Sequence, residues 1–294
     1  MEQTLITQPN TTRGWINGFI GVVIFSGSLP ATKIAIEGFS PDFLTAARAA
    51  IAGILSLIIF AFLRQSIPTK THFLPLIIVA IGGVIGFPFL TALALQYVSS
   101  AHSIVFIGLL PLATAFFAVL RARERPRKLF WLFSVIGSLF VIGFALFQGG
   151  KGTLIGDLYM IAAILLCGLG YAEGAVLSKK LGSWQVICWA LVISLPIILV
   201  LCVILWPTNL ANVSTKAWLG LVYVSFFSML LGFFFWYRGL AEGGIAGVGQ
   251  LQLLQPFIGL LLSAWLLDEA VNSLMIASTC GIIFCVAASK KFAS

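Results

Sequence analysis

The sequence predicts an all-α integral membrane protein, with ten transmembrane helices as two inverted five-helix repeats and both termini cytoplasmic. Three observations carry this reading. First, 60% of the 294 residues are apolar and only 9% are charged, with a mean hydropathy of +1.10. An ordinary soluble domain carries about 25% charged residues, so this inventory cannot build a water-facing surface. Second, the apolar residues fall in continuous runs of about the 20 residues that a helix needs to cross the hydrocarbon core. Third, the basic residues gather on one side of those runs.

The predicted spans are 15–36, 43–63, 73–97, 101–120, 129–147, 154–177, 184–206, 217–238, 245–267 and 272–289. The first is preceded by one basic residue, Arg13, and lacks a small-residue cleavage site, so it reads as a retained helix and not a signal peptide. Helix breakers separate the runs: Gly38 to Asp42 after the first, Pro68 after the second, the basic stretch Arg121 to Lys128 after the fourth. Gln148 to Gly152 divides the fifth from the sixth, and Pro207 to Asn212 follows the seventh. A closed β-barrel is the other spanning solution, but it needs alternating apolar and polar residues. Leu195 to Leu205 is apolar throughout apart from one proline and one cysteine.

Cytoplasmic loops collect lysine and arginine. With the N-terminus inside, 13 of the 17 basic residues fall on the cytoplasmic side, three (Lys33, Lys151 and Lys216) lie outside, and Arg48 sits within the second span. The net charge of +8 therefore reports topology and does not indicate nucleic-acid binding.

The chain also resembles itself. A shift of 141 residues puts Phe25-Ser26-Gly27 on Leu166-Cys167-Gly168; a shift of 145 puts Ala101 on Ala246, Pro111 on Pro256 and Glu124 on Glu269. The halves are residues 1–150 and 151–294. Five spans per half force the second to enter the membrane upside down, as in many secondary transporters. Equivalent loops carry opposite charge bias, as inversion requires: five basic residues surround Glu124, none accompanies Asp268-Glu269.

Helices in lipid pack through small residues. Gly14/Gly18, Gly82/Gly86, Gly170/Gly174 and Gly243/Gly247 have the spacing for it. At 100° per residue, narrow small or polar stripes align: Asn17, Gly21, Ser28 and Thr32 in the first span; Ser225, Ser228, Gly232 and Trp236 in the eighth; Gln252, Gln255, Gly259 and Ser263 in the ninth. The sixth aligns Ala162, Leu165, Leu169 and Glu173, and Gln250 points away from Gln252. Glu173 reads either as a substrate or proton carboxylate or as a structural pair or vestibule charge. Arg48 is expected to form a salt bridge or bind helix-end carbonyls ahead of touching substrate. Lys33 and Glu37, four apart, are spaced to pair, and His102 reads as a capping residue. Pro30, Pro88, Pro111, Pro196 and Pro256 interrupt spans, and Pro30, Pro111 and Pro256 are hinge candidates. The five cysteines lie in apolar runs and read as small buried hydrophobes. No metal-ligand spacing, catalytic constellation or Walker lysine is present, so the reading is a non-enzyme with no cofactor and no metal.

Four segments carry a family resemblance: FSGSLPATKIAIEGFSPDFLTAARAAIAG (25–53), ALQYVSSAHSIVFIGLLPLATAFFAVLRARERP (94–126), GDLYMIAAILLCGLGYAEGAVLSKK (156–180) and WYRGLAEGGIAGVGQLQLLQPFIGLLLSAWLLDE (236–269). Over nearly its whole length the chain resembles the drug/metabolite transporter superfamily, its ten-helix EamA-type exporters, and within them the bacterial aromatic amino-acid exporters. The resemblance implies a bacterial inner-membrane carrier with a small-molecule substrate. It implies a central cavity among the first, third, fourth, sixth, eighth and ninth spans, opened alternately to either side. It further implies export of amino acids and amphiphilic toxic compounds, with or without proton exchange. Combined with the stripes, it points to Ser28, Phe87, Pro88, Phe106, Tyr171, Glu173, Trp236, Gln252 and Gln255 as cavity residues. Import or exchange of another metabolite, such as a nucleotide derivative, and an aqueous channel are the alternatives.

Overall fold

The computed structural model describes residues 11–94, 97–98, 106–147, 153–208, 210–267 and 273–293. His102, Lys151 and Glu269 fall outside that set, as do the side chains of Lys33 and Ser263. Helices are α1 (Thr11–Ser26), α2 (Ser28–Ala35), α3 (Pro41–Leu63), α4 (Lys70–Val79), α5 (Phe87–Ala94), α6 (Leu110–Ala122) and α7 (Lys128–Phe147). They continue as α8 (Leu154–Leu181), α9 (Ser183–Ile204), α10 (Thr215–Val222), α11 (Gly232–Gly243), α12 (Ile245–Gly249), α13 (Gln255–Leu267) and α14 (Ser273–Lys291). No strand occurs among the described residues.

Among the described residues, six stretches are long and apolar enough to cross a membrane: Thr11–Thr32, Pro41–Leu63, Lys70–Thr91, Leu154–Leu181, Ser183–Ile204 and Thr215–Gly243. The shorter apolar helices Leu110–Ala122 and Lys128–Gly143 lie where the fourth and fifth spans are predicted, and α12, α13 and α14 fall where the ninth and tenth are. Large apolar side chains face outward, among them Phe62 at 83% exposure and Phe147 at 81%. So much exposed apolar surface suits lipid as the solvent.

Helix ends follow local chemistry. Ser40 caps α3 by accepting a hydrogen bond from the Phe43 amide, with Pro41 opening the first turn. Thr153 and Ser214 cap α8 and α10 in the same way. Helix α8 runs four residues past the predicted end because Lys179 and Lys180 suit its negative C-terminal pole. It stops at Gly182, whose φ of 95° suits a residue without a Cβ.

Among the described residues, four spans depart from regular α geometry. The first breaks at Gly27, one turn before Pro30. The third widens into a π-helical segment at Ala80–Gly86, where the Phe87 amide reaches back to the Gly82 carbonyl. Pro88, next in sequence, has no amide to keep the regular ladder going. A second π segment, Tyr223–Leu231, lies in the eighth span, and there the Gly232 amide reaches the Phe227 carbonyl. Adding 145 to Ala80–Gly86 gives 225–231, inside this second segment. No proline accompanies it, and the sequence carries no signal for it. The ninth span begins as α12, tightens to a 3₁₀ segment at Gln250–Leu254 and resumes as α13 with Pro256 in its first turn. Pro111 similarly sits in the first turn of α6.

Packing runs α1 along α11, α3 along α9, α5 and α6 along α8, and α7 along α14. At the α1–α11 crossing, a Cβ on Gly14 would fall 2.3 Å from the Gly243 nitrogen, and one on Gly239 would fall 2.5 Å from the Gly18 nitrogen. The pair facing Gly14/Gly18 is thus Gly239/Gly243, and Gly247 lies against Ala293 and Trp15. Gly82 crosses Gly170 with a comparable absence of room, whereas Gly86 meets Leu166 and Gly174 meets the Tyr237 ring. Four cysteines are buried as expected, but Cys280 is exposed, because α14 presents that residue on its outer face.

Candidate functional site

The first and eighth spans meet along their polar stripes. Asn17 donates to Glu242 at 3.4 Å, Gly21 lies against Trp236, and Ser28 donates to the Ser228 hydroxyl at 2.7 Å. Ser228 sits in the second π segment and also accepts from Arg48 Nη2, at 3.3 Å. Arg48 is half-buried by exposure, but its Nε is buried with no hydrogen-bond partner. Among the described residues Arg48 makes neither the expected salt bridge nor a hydrogen bond to a helix-end carbonyl. Its recorded hydrogen bond goes to a side-chain hydroxyl instead, because α3 directs it inward at the level of Ser228. A charged side chain within a span is costly, and one neutral hydroxyl offsets little of that.

Beside this polar group lies an aromatic cluster. Tyr171 and Trp236 have ring centroids 5.4 Å apart, and Phe25 lies 5.2 Å from Phe233 and 6.2 Å from Trp236. Phe233 also meets Tyr171 edge-on at 6.1 Å. Such edge-to-face pairs hold an apolar wall in a fixed shape. Phe25 stands three residues before Ser28 and Phe233 five residues after Ser228, so the aromatic and polar groups share the first and eighth spans. The Trp236 indole Nε1 is buried without an acceptor.

Of the predicted cavity residues, the structure brings Ser28, Tyr171 and Trp236 into this neighbourhood. Phe25, Phe233, Arg48 and Ser228 join them; sequence reasoning omitted all four from the site, although Ser228 lay on the eighth-span stripe. Phe87 and Phe106 are half-buried against the main core, with Pro88 half-buried beside Phe87. Gln252 is buried, with neither amide atom hydrogen-bonded, and Gln255 is half-buried. Gln250, fully buried, is unpartnered as well. Glu173 is separate in chemistry: its carboxylate pairs with Arg121 Nε at 2.5 Å and is almost fully buried.

That pair belongs to a set of contacts gathered at the basic end of the bundle. The Glu124 carboxylate accepts from the backbone amides of Ile245 and Ala246, each at 2.8 Å, at the start of α12. An anion suits the exposed amides and positive pole of a helix start. Arg238 pairs with Glu242, the Arg127 amide donates to the Phe292 carbonyl, and Lys290 lies over the Trp15 ring. Toward this end Tyr171, Glu173, Trp236 and Gln252 are buried; toward the other, Ser28, Thr32, Arg48, Phe87 and Phe106 are partly exposed.

Two clefts lie elsewhere. One of about 310 Å³ runs between α2 and α10, lined by Gly27, Pro30, Ala31, Ile34, Lys216, Leu219, Gly220, Tyr223 and Leu262. The other, about 150 Å³, lies at Gln65 to Thr69, His72, Leu181, Gln185 and Trp189. Neither is lined by the aromatic cluster. No group of three or more metal-ligating side chains occurs among the described residues.

The EamA-like transporter family matches residues 12–147 and again 154–289. The chain is 61% identical over 283 residues to the uncharacterized transporter YdeK of Bacillus subtilis (strain 168), covering 96% of this chain and 99% of that one. It is 27% identical over 178 residues to an S-adenosylmethionine/S-adenosylhomocysteine transporter of Chlamydia muridarum (strain MoPn / Nigg), covering 57% and 55%. A solved structure shares the fold at a TM-score of 0.80 and 18% identity, covering 94% of this chain and 97% of its own. The chain is a multi-pass membrane protein and belongs to the EamA-like transporter family.

Proposed function

We propose that the protein is a secondary carrier that exports neutral amino acids, aromatic ones included, and amphiphilic toxic compounds across the bacterial cytoplasmic membrane by alternating access. The observation that carries this reading is the aromatic cluster of Phe25, Tyr171, Phe233 and Trp236 set against the Ser28–Ser228–Arg48 group. It offers an apolar body a wall and a polar head group a set of donors, the composition expected of small-molecule sites. In this reading ten spans form two inverted five-helix repeats, residues 1–150 and 151–294, with both termini cytoplasmic. The two π segments in matching register support the repeat. Exposure toward one end and burial toward the basic end support an outward-facing state, with Glu124 and the Arg121–Glu173 pair holding the cytoplasmic side shut. Irregular turns at Pro30, Pro111 and Pro256 serve as hinges, where few regular hydrogen bonds resist motion.

Counterflow in proteoliposomes tests this. Vesicles preloaded with unlabelled phenylalanine should accumulate labelled phenylalanine saturably, and other neutral amino acids should suppress it. Exchange only with unrelated metabolites would remove the amino-acid assignment. The carriage of an S-adenosyl compound by the Chlamydia relative makes that solute a necessary member of the competitor panel. Absence of counterflow from folded protein would favour the channel alternative.

Glu173 belongs with closure and not with proton carriage, because its carboxylate is occupied by Arg121. Glu173→Gln and Arg121→Gln should therefore slow exchange and pH-driven transport alike. A loss confined to pH-driven transport would assign Glu173 a coupling proton.

A further inference from the structure

We propose that Arg48 reads a negative charge on the transported solute, so that substrates are acids with an apolar body, and cationic amphiphiles lacking an acid group are poor ones. This rests on the aromatic cluster being the transport site and narrows what that site accepts. A guanidinium presents five N–H donors in a planar fork. The recorded hydrogen bond of Arg48 uses one of them, with Ser228 as acceptor. Its Nε is buried and unpartnered.

No carboxylate pairs with Arg48 among the described residues; the recorded ion pairs, Arg121–Glu173 and Arg238–Glu242, lie at the basic end. The acceptor it does use, Ser228, receives a hydrogen bond from Ser28 as well. The positive charge thus stands beside two hydroxyls and a rigid aromatic wall with no resident anion. A planar two-oxygen anion matches the free side of the fork in the bidentate manner that guanidinium groups favour. A carboxylate bound there would leave its apolar substituent toward the Phe25–Phe233 pair on the same two spans as Ser28 and Ser228. An amine without that carboxylate meets the same charge as a repulsion.

The test is competition in phenylalanine counterflow by phenylalaninamide and phenethylamine, which keep the ring and lose the carboxylate. Against the wild-type protein both should compete on the order of 30-fold or more weaker than phenylalanine, the scale of an unpaired buried charge. Arg48→Gln should bring the acid and the amide to near-equal potency, Arg48→Lys should retain part of the preference, and Ser228→Ala should weaken it. Size-exclusion and melting profiles identify any variant that fails to fold; the wild-type competition series decides without it. Equal potency of acid, amide and amine on the wild-type protein overturns the inference and leaves the carrier reading standing. Undiminished preference for the acid in folded Arg48→Gln also overturns it. Absence of counterflow with every solute overturns both.

Discussion

Gly239→Leu is expected to lower the melting temperature in detergent by about 5–10 °C and to cut the yield of folded protein sharply. The Cβ alone would stand 2.5 Å from the Gly18 nitrogen and 2.6 Å from its Cα. These are backbone atoms, so no rotamer change relieves the clash. Overpacking costs about 1–3 kcal/mol even where side chains can yield, and two rigid helices offer less. Lipid supplies no hydrophobic drive for helices to associate, so close packing carries much of the α1–α11 contact. Gly143 is the internal control: a Cβ there meets nothing within 4 Å. Gly143→Leu should stay within about 0.5 kcal/mol of wild type. Equal damage from both substitutions would mean that the crossing is not where the bundle is tight.

Glu124→Ala is expected to release the basic end without unfolding the protein. Its carboxylate is the acceptor for two amides at the start of α12, and it reaches them from beyond the end of α6. Losing a capping side chain costs about 0.5–2 kcal/mol, and one or two kcal/mol shifts a two-state ratio by about 5- to 30-fold. A reporter at Val248, fully buried against Gly18, reads that shift. In a cysteine-free background, Val248→Cys should react with an impermeant maleimide from the cytoplasmic side about 5- to 30-fold faster when Glu124 is alanine. Glu124→Gln, which keeps one acceptor oxygen, should fall between. An unchanged rate would mean that the cap is not a restraint on opening.

How much of this was legible in the sequence depends on the range of the interaction. Apolar runs, caps and breakers are local, so the starts of α3 and α10 and the small-residue face of α1 were readable. The stripes of the first and eighth spans were legible one at a time, since 100° periodicity places Ser28 and Ser228 on faces. That the two faces meet is a tertiary fact. Arg48 shows why this matters: a lone arginine in a span suggests a salt bridge, and only the packing of α3 against the second π segment gives it Ser228 instead. The π segment itself has no sequence mark, because neither proline nor an insertion accompanies it. Phe25 and Phe233 were hidden among 25 phenylalanines, where composition cannot separate a cluster member from a lipid-facing ring. Glu124 was visible as a repeat partner, but its acceptors are backbone amides, which carry no residue signature. Glu173 was legible as an unusual charge, and its pairing needed the position of Arg121, 52 residues away.

Reciprocal accessibility tests the central claim most directly. Single cysteines at Thr32 and at Val248 would be probed in inside-out and right-side-out vesicles with an impermeant maleimide, with and without phenylalanine. The carrier account predicts that Thr32→Cys reacts from outside in the resting protein while Val248→Cys is protected from inside. It predicts that substrate slows the first and speeds the second together. Simultaneous reactivity of both from their own sides, unmoved by substrate, would contradict alternating access and indicate a continuous aqueous path.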